Sequence, residues 1–289
     1  MNTEKWLAKN TTSLNGKKIA ITGSTGGIGL WLCRYLALLG ADLILCDRSY
    51  EKVKKLMALL NDEYPDVNIK HIYCDLTDIS SVKSATKQLI DEDIFCFISN
   101  AGAYSIPRKI CECGLDNVFT INFASPYYMA RALLPTVEKN CGRVVIVGSI
   151  AHNYSKANFD DVDFRNIKAA SKAYGNAKRY LMFSLYEHCK DKNCLSITHP
   201  GITFTNITSH YPKLIFAIIK YPMKIIFTPP KRACLSILKG VFDNTDYKEW
   251  IGPLVFSVWG RPKKKKLRTC SESESLRIYN TAEKIFTKF

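Results

Sequence analysis

Apolar runs and helical segments alternate along the first two thirds of the chain. Most residues of these runs are hydrophobic, so we expect strands that are buried on both faces. Strands of that kind belong to parallel sheets whose connecting helices cover both sides. The pattern therefore predicts an α/β fold with a doubly wound parallel sheet. The six predicted strands span residues 17–22, 41–47, 67–75, 94–100, 143–149 and 194–200.

The chain has 289 residues, of which 47% are hydrophobic, and this is enough to build the core of one large domain. We interpret residues 1–289 as that domain, with a core at about 15–205 and a substrate lid and C-terminal extension in 206–289. The eleven cysteines form no Cys-x-x-Cys pair, so no metal site is predicted. Because the amino terminus also lacks an apolar signal core, we expect reduced thiols and a cytoplasmic protein.

Two segments in the last third of the chain bear on surface partners. The net charge is +15, and RPKKKKLR at 261–268 concentrates basic residues. We interpret it as a solvated tail segment, with contact to nucleic acid or anionic lipid as the alternative, and the lack of interleaved aromatic residues argues against nucleic acid. The apolar stretch 209–230 is interrupted by lysines and a proline, which argues against a membrane-spanning helix. A lid over an apolar substrate is the preferred interpretation, and peripheral contact with a membrane surface stays an alternative.

The segment ITGSTGGIG at 21–29 lies between the first predicted strand and the first predicted helix. Its glycines let the backbone turn tightly and approach a pyrophosphate, which the free N–H groups of the helix N-terminus attract. Rossmann-type folds hold a dinucleotide in this way. The predicted cofactor contacts in the turn are Gly23, Ser24, Thr25, Gly27, Ile28 and Gly29.

Polar and small residues also follow the carboxyl ends of the next strands, where ligands of open parallel sheets bind. Asp47 ends the second strand, where a carboxylate accepts the ribose hydroxyls of an adenosine and repels a 2′-phosphate. Arg48 would attract that phosphate. We weigh Asp47 more heavily because it is the strand-end residue, so NAD is favoured over NADP. The remaining predicted nucleoside contacts are Asp75 and Leu76 after the third strand, and Asn100, Ala101 and Gly102 after the fourth.

Tyr174 and Lys178 lie four residues apart on a predicted helix and therefore share one face. A nearby ammonium favours the phenolate, so Lys178 is expected to lower the phenol pKa from its usual ~10. Such a phenol can exchange a proton near neutral pH. The pair alone is a common coincidence, and the other motifs decide its meaning.

In this order, the motifs resemble those of the short-chain dehydrogenase/reductase family over about residues 15–205. TGSTGGIG resembles the cofactor turn of that family, CDL at 74–76 its adenine-contacting acid, and NAG at 100–102 its fourth-strand motif. The segment HPGITFT at 199–205 resembles the part near the nicotinamide, and its predicted contacts are Pro200, Gly201, Thr203 and Thr205. The residues that match the catalytic positions are Asn122, Ser149, Tyr174 and Lys178.

The resemblance implies hydride transfer between a nicotinamide and an alcohol or carbonyl compound. It implies that Tyr174 is the general acid and base and that Ser149 hydrogen-bonds the substrate oxygen. Lys178 would lower the tyrosine pKa and hold the nicotinamide ribose, and Asn122 would hold a water that relays protons from Lys178.

The segment between Ser149 and Tyr174 is longer than usual for the family and resembles that of retinol dehydrogenases and related hydroxysteroid and lipid-type oxidoreductases. We expect this insert to form one wall of the cleft and the substrate to be a hydrophobic alcohol, ketone or aldehyde. His152 is interpreted as structural. Family members pair the helices that correspond to 114–138 and 168–190, so a homodimer or homotetramer is expected. The alternative to an enzyme is a non-catalytic dinucleotide-binding regulatory protein, or a membrane-surface protein, on the same fold.

Overall fold

The predicted strands form one sheet in the computed structural model, which describes residues 2–203 and 227–289. The strands are β1 (Lys18–Thr22), β2 (Asp42–Asp47), β3 (Ile69–Tyr73), β4 (Cys96–Ser99), β5 (Arg143–Val147), β6 (Leu195–Thr198), β7 (Glu249–Val255) and β8 (Trp259–Lys266). Their order in the sheet is β3-β2-β1-β4-β5-β6-β7-β8. Neighbouring strands are parallel except for β7 and β8, which are antiparallel. The doubly wound α/β fold is thereby confirmed.

Helices cover both faces of the sheet, as strands that are apolar on both faces require. The helices are α1 (Thr3–Asn10), α2 (Gly27–Leu38), α3 (Tyr50–Glu63), α4 (Ile79–Asp91), α5 (Asn117–Phe119), α6 (Ser125–Lys139), α7 (Ala170–His188), α8 (Pro230–Phe242) and α9 (Glu272–Phe286). One hydrophobic core lies between the sheet and α4, α6, α7 and α9, and a second lies against α1, α2, α3 and α8. The strand order reverses between β1 and β4. At such a point the loops diverge and leave a crevice at the carboxyl ends of the strands.

The long helix predicted at 114–138 is interrupted. A π-helical turn at Thr120–Ala124 separates α5 from α6. Turns of this kind are frequently found at functional sites. Asn122 lies within this turn and is fully buried.

The C-terminal residues complete the sheet and both cores. Helix α8 packs against α2, and β7 pairs with β6 at Thr198 and Ile251. The interpretation of 261–268 as a solvated tail is wrong, because most of this segment belongs to β8 at the edge of the sheet. A strand pairs through its backbone, so lysines can occupy an edge strand while their side chains stay in water.

Helix α9 lies across α6 and α7. Glu283 accepts hydrogen bonds from the Tyr127 hydroxyl and from Arg131 Nη2, the latter at 2.9 Å, and the Phe286 ring lies 5.5 Å from that of Tyr128. The helices expected to pair between copies are thus covered in part by the chain's own C-terminal helix. The homodimer or homotetramer stays a prediction, and it would have to use a surface that α9 leaves open.

Arg179 fastens the start of α9 to the loop that follows β5. Its side chain is 3% exposed and forms a two-bond ion pair with Glu274, at 2.8 Å and 2.6 Å. Its other N–H groups donate to the carbonyl oxygens of His152 and Thr269, at 3.1 Å and 2.7 Å. Glu274 also accepts the backbone N–H of Ala157 at 3.2 Å. One buried guanidinium therefore joins α7, the loop after β5 and the C-terminal segment.

Replacement of Glu274 by glutamine tests this junction. The Glu274→Gln variant leaves the Arg179 guanidinium buried without a counter-charge, so the free energy of unfolding should fall by about 2–4 kcal/mol. Urea unfolding measures the loss. The matched control is Glu272→Gln in the same exposed first turn of α9, which should cost less than about 0.5 kcal/mol. Equal losses of stability in the two variants would show that the Arg179–Glu274 ion pair makes no specific contribution to the free energy of unfolding.

Candidate active site

The glycine turn between β1 and α2 leaves an open cradle at the helix N-terminus. A Cβ atom on Gly29 would lie 2.1 Å from the Gly23 carbonyl oxygen, so no side chain fits there. The amide of Asn100 donates to the carbonyl oxygens of Thr22 and Gly23, at 3.1 Å and 2.9 Å, and so ties the turn to β4. The bare backbone N–H groups at the start of α2 are suited to a pyrophosphate.

A cleft of about 480 Å³ extends from this turn along the carboxyl ends of the strands. It brings together residues from six separate parts of the chain. The predicted site residues that line it are Gly23, Gly27, Ile28, Gly29, Asn100, Ala101, Gly102, Ser149, Tyr174, Lys178, Pro200, Gly201 and Thr203. The switch point between β1 and β4 and the middle of α7 therefore contribute to one cavity.

Lys178 is buried at the base of the cleft. Its side chain is 2% exposed, and its Nζ donates to the Val147 carbonyl oxygen at 2.8 Å. Burial lowers the pKa of Lys178 to about 8 because the charged form is poorly solvated there. The Nζ atom lies 5.8 Å from the centre of the Tyr174 ring, as the shared helix face predicts.

The expected lowering of the Tyr174 pKa is not found in the protein alone. Burial raises the pKa of Tyr174 to about 12, although a hydrogen bond with the Ser149 side chain acts in the opposite direction. Electrostatic interaction with the phenol groups of Tyr104 and Tyr154 adds to the increase, and the Tyr104 ring meets that of Tyr174 edge-on at 5.5 Å. Loss of hydration around the phenol thus has a larger effect on its pKa than the nearby ammonium of Lys178. One N–H of that ammonium donates to the Val147 carbonyl oxygen.

Asn122 connects the π-helical turn to the loop after β4. Its side chain donates to the carbonyl oxygens of Ala103 and Val118, both at 2.8 Å, and accepts the Ala103 N–H at 3.1 Å. A Cβ atom on Gly102 would lie 2.9 Å from Asn122 Oδ1 and 3.8 Å from Lys178 Nζ. Asn122 and Lys178 therefore face the same glycine, and the assignment of a relay water to Asn122 stays a prediction.

Of the predicted nucleoside contacts, Asp47, Arg48, Asp75 and Leu76 lie outside the described lining of the cleft. The Asp47 carboxylate accepts the backbone N–H and the hydroxyl of Ser24, at 3.0 Å and 2.5 Å. Burial raises the pKa of Asp47, and these two hydrogen bonds oppose the increase. Asp75 accepts the N–H and hydroxyl of Thr77 at 2.9 Å and 2.8 Å, and Leu76 is buried in the core. Thr25 is partly exposed and Arg48 is exposed.

The segment after β6 forms the far end of the cleft. Thr203 pairs with Thr228 in an isolated bridge, and its buried Oγ1 has no hydrogen-bond partner within the described ranges. A polar ligand group fits that atom, and the glycine cradle fits a pyrophosphate. These two features agree with a nicotinamide dinucleotide. Thr205 and residues 209–226 of the predicted lid lie outside the described residues.

The insert contributes less to the cleft than expected. Tyr154 lines the cavity, whereas the following residues pack towards α7 and α9. His152 is fully buried, with Nδ1 2.6 Å from the Ser149 carbonyl oxygen and Nε2 2.8 Å from the Thr269 hydroxyl. Burial lowers the pKa of His152 to about 4, so this side chain is a neutral structural group.

Sequence reasoning missed several residues of the lining. The side chains of Tyr104, Ile150, His199, Ile202 and Phe227 all border the cavity. Four of them follow the carboxyl ends of β4, β5 and β6 by a few residues, and that position was the available signal. His199 stacks on the Trp250 ring at 4.8 Å, a contact from distant β7 that no local pattern predicts.

Within residues 2–203 and 227–289, no helix is long and apolar enough to cross a membrane. In the same ranges, no cluster of three or more His, Cys, Asp or Glu side chains is arranged to hold a metal ion.

Known proteins resemble this chain throughout. The sequence model of the short chain dehydrogenase family matches residues 17–183. An uncharacterized oxidoreductase of Schizosaccharomyces pombe is 28% identical over 89% of this chain and 81% of its own length. Mouse retinol dehydrogenase 14 is 25% identical, covering 79% of this chain and 76% of the mouse protein. A solved structure of an uncharacterized protein from Mycobacterium paratuberculosis has the same fold, with a TM-score of 0.74, 20% identity and 97% coverage of both chains. The chain therefore belongs to the short-chain dehydrogenase family, near its retinol dehydrogenase branch, as an NAD(P)-dependent oxidoreductase that acts on CH–OH groups.

Proposed function

We propose that this protein interconverts a hydrophobic alcohol and its ketone or aldehyde, with Tyr174 as the general acid and base. The observation that carries the proposal is the meeting of Ser149, Tyr174 and Lys178 in one cleft with the glycine turn. A retinoid, a steroid or another lipid-like alcohol is the proposed substrate class. Apolar and aromatic side chains at the substrate end, those of Ile150, Tyr154, Ile202 and Phe227, support this choice. The name of the mouse relative points the same way.

Each polar residue has a distinct part in the proposed reaction. The nicotinamide dinucleotide supplies the hydride, or takes it up, when it is bound. In the reducing direction Tyr174 donates its proton to the substrate oxygen as negative charge develops there. Ser149 hydrogen-bonds both the phenol and the same oxygen and so fixes its position. Lys178 places a positive charge next to the phenol and offers its remaining N–H groups to the ribose of the cofactor.

The acid form of Tyr174 suits this role. With a pKa near 12 the phenol is protonated throughout the neutral range and is ready to donate. Positive charge on Lys178 stabilises the phenolate that remains after donation. The proton can then return through Lys178 and the water that Asn122 would hold.

We propose NAD as the favoured cofactor, with NADP as the alternative. The support is the carboxylate of Asp47 at the end of β2, where it would repel a 2′-phosphate. The Ser24 hydroxyl already donates to that carboxylate, so a ribose diol would share it with Ser24. Arg48 is the group that would favour NADP.

Replacement of the phenol tests the assignment of the general acid. Tyr174→Phe should reduce kcat by roughly 10²–10⁴-fold, because the proton donor is lost, while cofactor affinity stays nearly the same. Turnover of graded hydrophobic alcohols and ketones is followed by the absorbance of the reduced cofactor, and cofactor binding by fluorescence titration. The control is Tyr64→Phe, which removes a phenol at the end of α3. Unchanged turnover in Tyr174→Phe would favour the non-catalytic alternative.

The charge of Lys178 predicts the pH dependence of ketone reduction. The ammonium is present below a pKa of about 8 and is lost above it, so kcat/KM should fall as the pH rises through that value. A ketone without ionisable groups is used across the range. In Lys178→Arg the charge persists at all these pH values, so the step near pH 8 should vanish even if the rate is low. A step of the same size in both enzymes would exclude Lys178 as its origin.

Replacement of Asp47 tests the choice of cofactor. Asp47→Ala should lower the ratio of kcat/KM for NAD to that for NADP by roughly tenfold, because the carboxylate no longer repels the 2′-phosphate. The matched variant Ser24→Ala keeps the charge of Asp47 and should keep the preference for NAD. An equal ratio before and after Asp47→Ala would mean that this carboxylate does not bind the ribose.

A further inference from the structure

The turn between β7 and β8 exposes a group of apolar side chains. The hairpin tip, residues 254–259, includes Phe256, whose side chain is 85% exposed, together with Leu254, Val255 and Trp259, which are between 38% and 43% exposed. Isolated exposed hydrophobic residues are ordinary, whereas four of them within six residues form a patch that calls for a partner.

The backbone of the tip is held in a costly conformation. Phe256 and Ser257 have φ angles of 48° and 58°, in the left-handed region that bulky residues rarely adopt. The Val258 N–H closes the turn on Val255, and Lys265 Nζ donates to the carbonyl oxygens of Pro253 and Leu254 at 2.6 Å and 2.8 Å. Several carbonyl groups of the tip backbone thus accept hydrogen bonds within the protein, while the side chain of Phe256 is exposed.

Basic side chains continue directly from the tip. The basic strand, residues 261–268, includes four exposed cations, those of Arg261, Lys263, Lys266 and Arg268. Trp259, Arg261 and Lys263 alternate along β8 and therefore lie on one face of it. Among the described residues, none of the four cations forms an ion pair with an acid.

The tip also adjoins the cleft. The Ser257 carbonyl oxygen lies 3.1 Å from His199 Nε2, and the Val258 carbonyl oxygen accepts the Thr228 hydroxyl at 2.9 Å. A Cβ atom on Gly201 would lie 2.7 Å from that same carbonyl. His199 and Gly201 line the cleft, so whatever binds the tip lies against the rim of the substrate site.

We propose that the hairpin tip and the basic strand together form a docking surface for a lipid bilayer that carries anionic headgroups. Apolar side chains that enter the interface, flanked by cations at headgroup level, are the combination that binds such membranes. The hydrogen bonds that the tip's carbonyl groups accept within the protein lower the cost of bringing this backbone close to the acyl region. The net charge of +15 attracts the same surface from a distance.

The other occupants fit less well. Lysines along an edge strand oppose pairing with the same strand of a second copy, since like charges would face each other. Nucleic acid would use the cations but offers no apolar medium to Phe256. The bilayer is the one partner that accounts for both halves of the surface.

The test is co-sedimentation of the full chain with vesicles of phosphatidylcholine, with and without phosphatidylserine. Binding should require phosphatidylserine and should weaken at about 1 M salt, where electrostatic interactions are screened beyond roughly 3 Å. Phe256→Asn removes the apolar anchor while retaining a residue that tolerates the left-handed backbone, and it should lower the partition coefficient about tenfold. Its control is Ile90→Asn, an exposed apolar residue on α4, which should bind like the unchanged protein.

The contribution of the basic strand to membrane binding is tested separately. The double variant Arg261→Gln, Lys263→Gln should lower the partition coefficient roughly tenfold or more, whereas Lys54→Gln, Lys55→Gln on exposed α3 should have little effect. Quenching of tryptophan fluorescence by lipids brominated in the upper acyl chain should be strong, and Trp259→Phe should remove it.

Three results would overturn the proposal. The first is failure of the full chain to sediment with phosphatidylserine vesicles. The second is equal binding by the tip variants and their controls, which would assign the membrane contact to another surface. The third is a tip-dependent change of oligomeric state without vesicle binding, which would assign this face to a second copy. None of these measurements uses turnover, so they are independent of the proposed reaction.

Discussion

Burial of one ammonium group sets the geometry of the cleft. Lys178 is almost inaccessible to water, and its Nζ donates to the carbonyl oxygen at the end of β5. A charge in such a place is tolerated only where fixed acceptors replace water, so the distance between α7 and β5 is closely constrained. One helical turn away, Tyr174 takes its position from the same constraint. The loop of Gly102 fits beside the ammonium because a Cβ atom there would lie only 2.9 Å from Asn122 Oδ1.

The next residue of the helix extends this constraint to the C-terminus. Consecutive helical positions are about 100° apart, so Lys178 and Arg179 point in different directions from one turn of α7. Lys178 faces the cleft, and Arg179 faces the start of α9. Through His152 and Glu274 the guanidinium also holds the loop that begins at Ser149. The C-terminal residues are therefore part of the support of the site.

The sequence was a good guide wherever a local rule applied. The strands, the glycine turn and the shared face of Tyr174 and Lys178 follow from hydrophobic runs, missing side chains and helical spacing. It was a poor guide where contacts between residues far apart in the sequence determine the structure. In the sequence the lysines of β8 resemble a solvated tail, and only the backbone pairing with β7 identifies them as a strand. The hydrogen bond from the Ser24 hydroxyl to Asp47 depends on how two separate loops approach each other. The stacking of His199 on Trp250 has no local signature either.

The direction of the Tyr174 pKa shows why such residues must be judged with their surroundings. Counting charges along the helix predicts a more acidic phenol, because Lys178 is close. The cavity reverses the result, since burial removes the water that a phenolate needs, and unfavourable electrostatic interaction with Tyr104 and Tyr154 adds to the increase. The same burial that raises the phenol pKa lowers that of the ammonium, because in each case the charged form loses hydration. A bound ligand that brings positive charge and hydrogen bonds to this cleft favours the phenolate, and a cleft without one favours the phenol. Occupancy of the site thus sets the proton affinity of its acid.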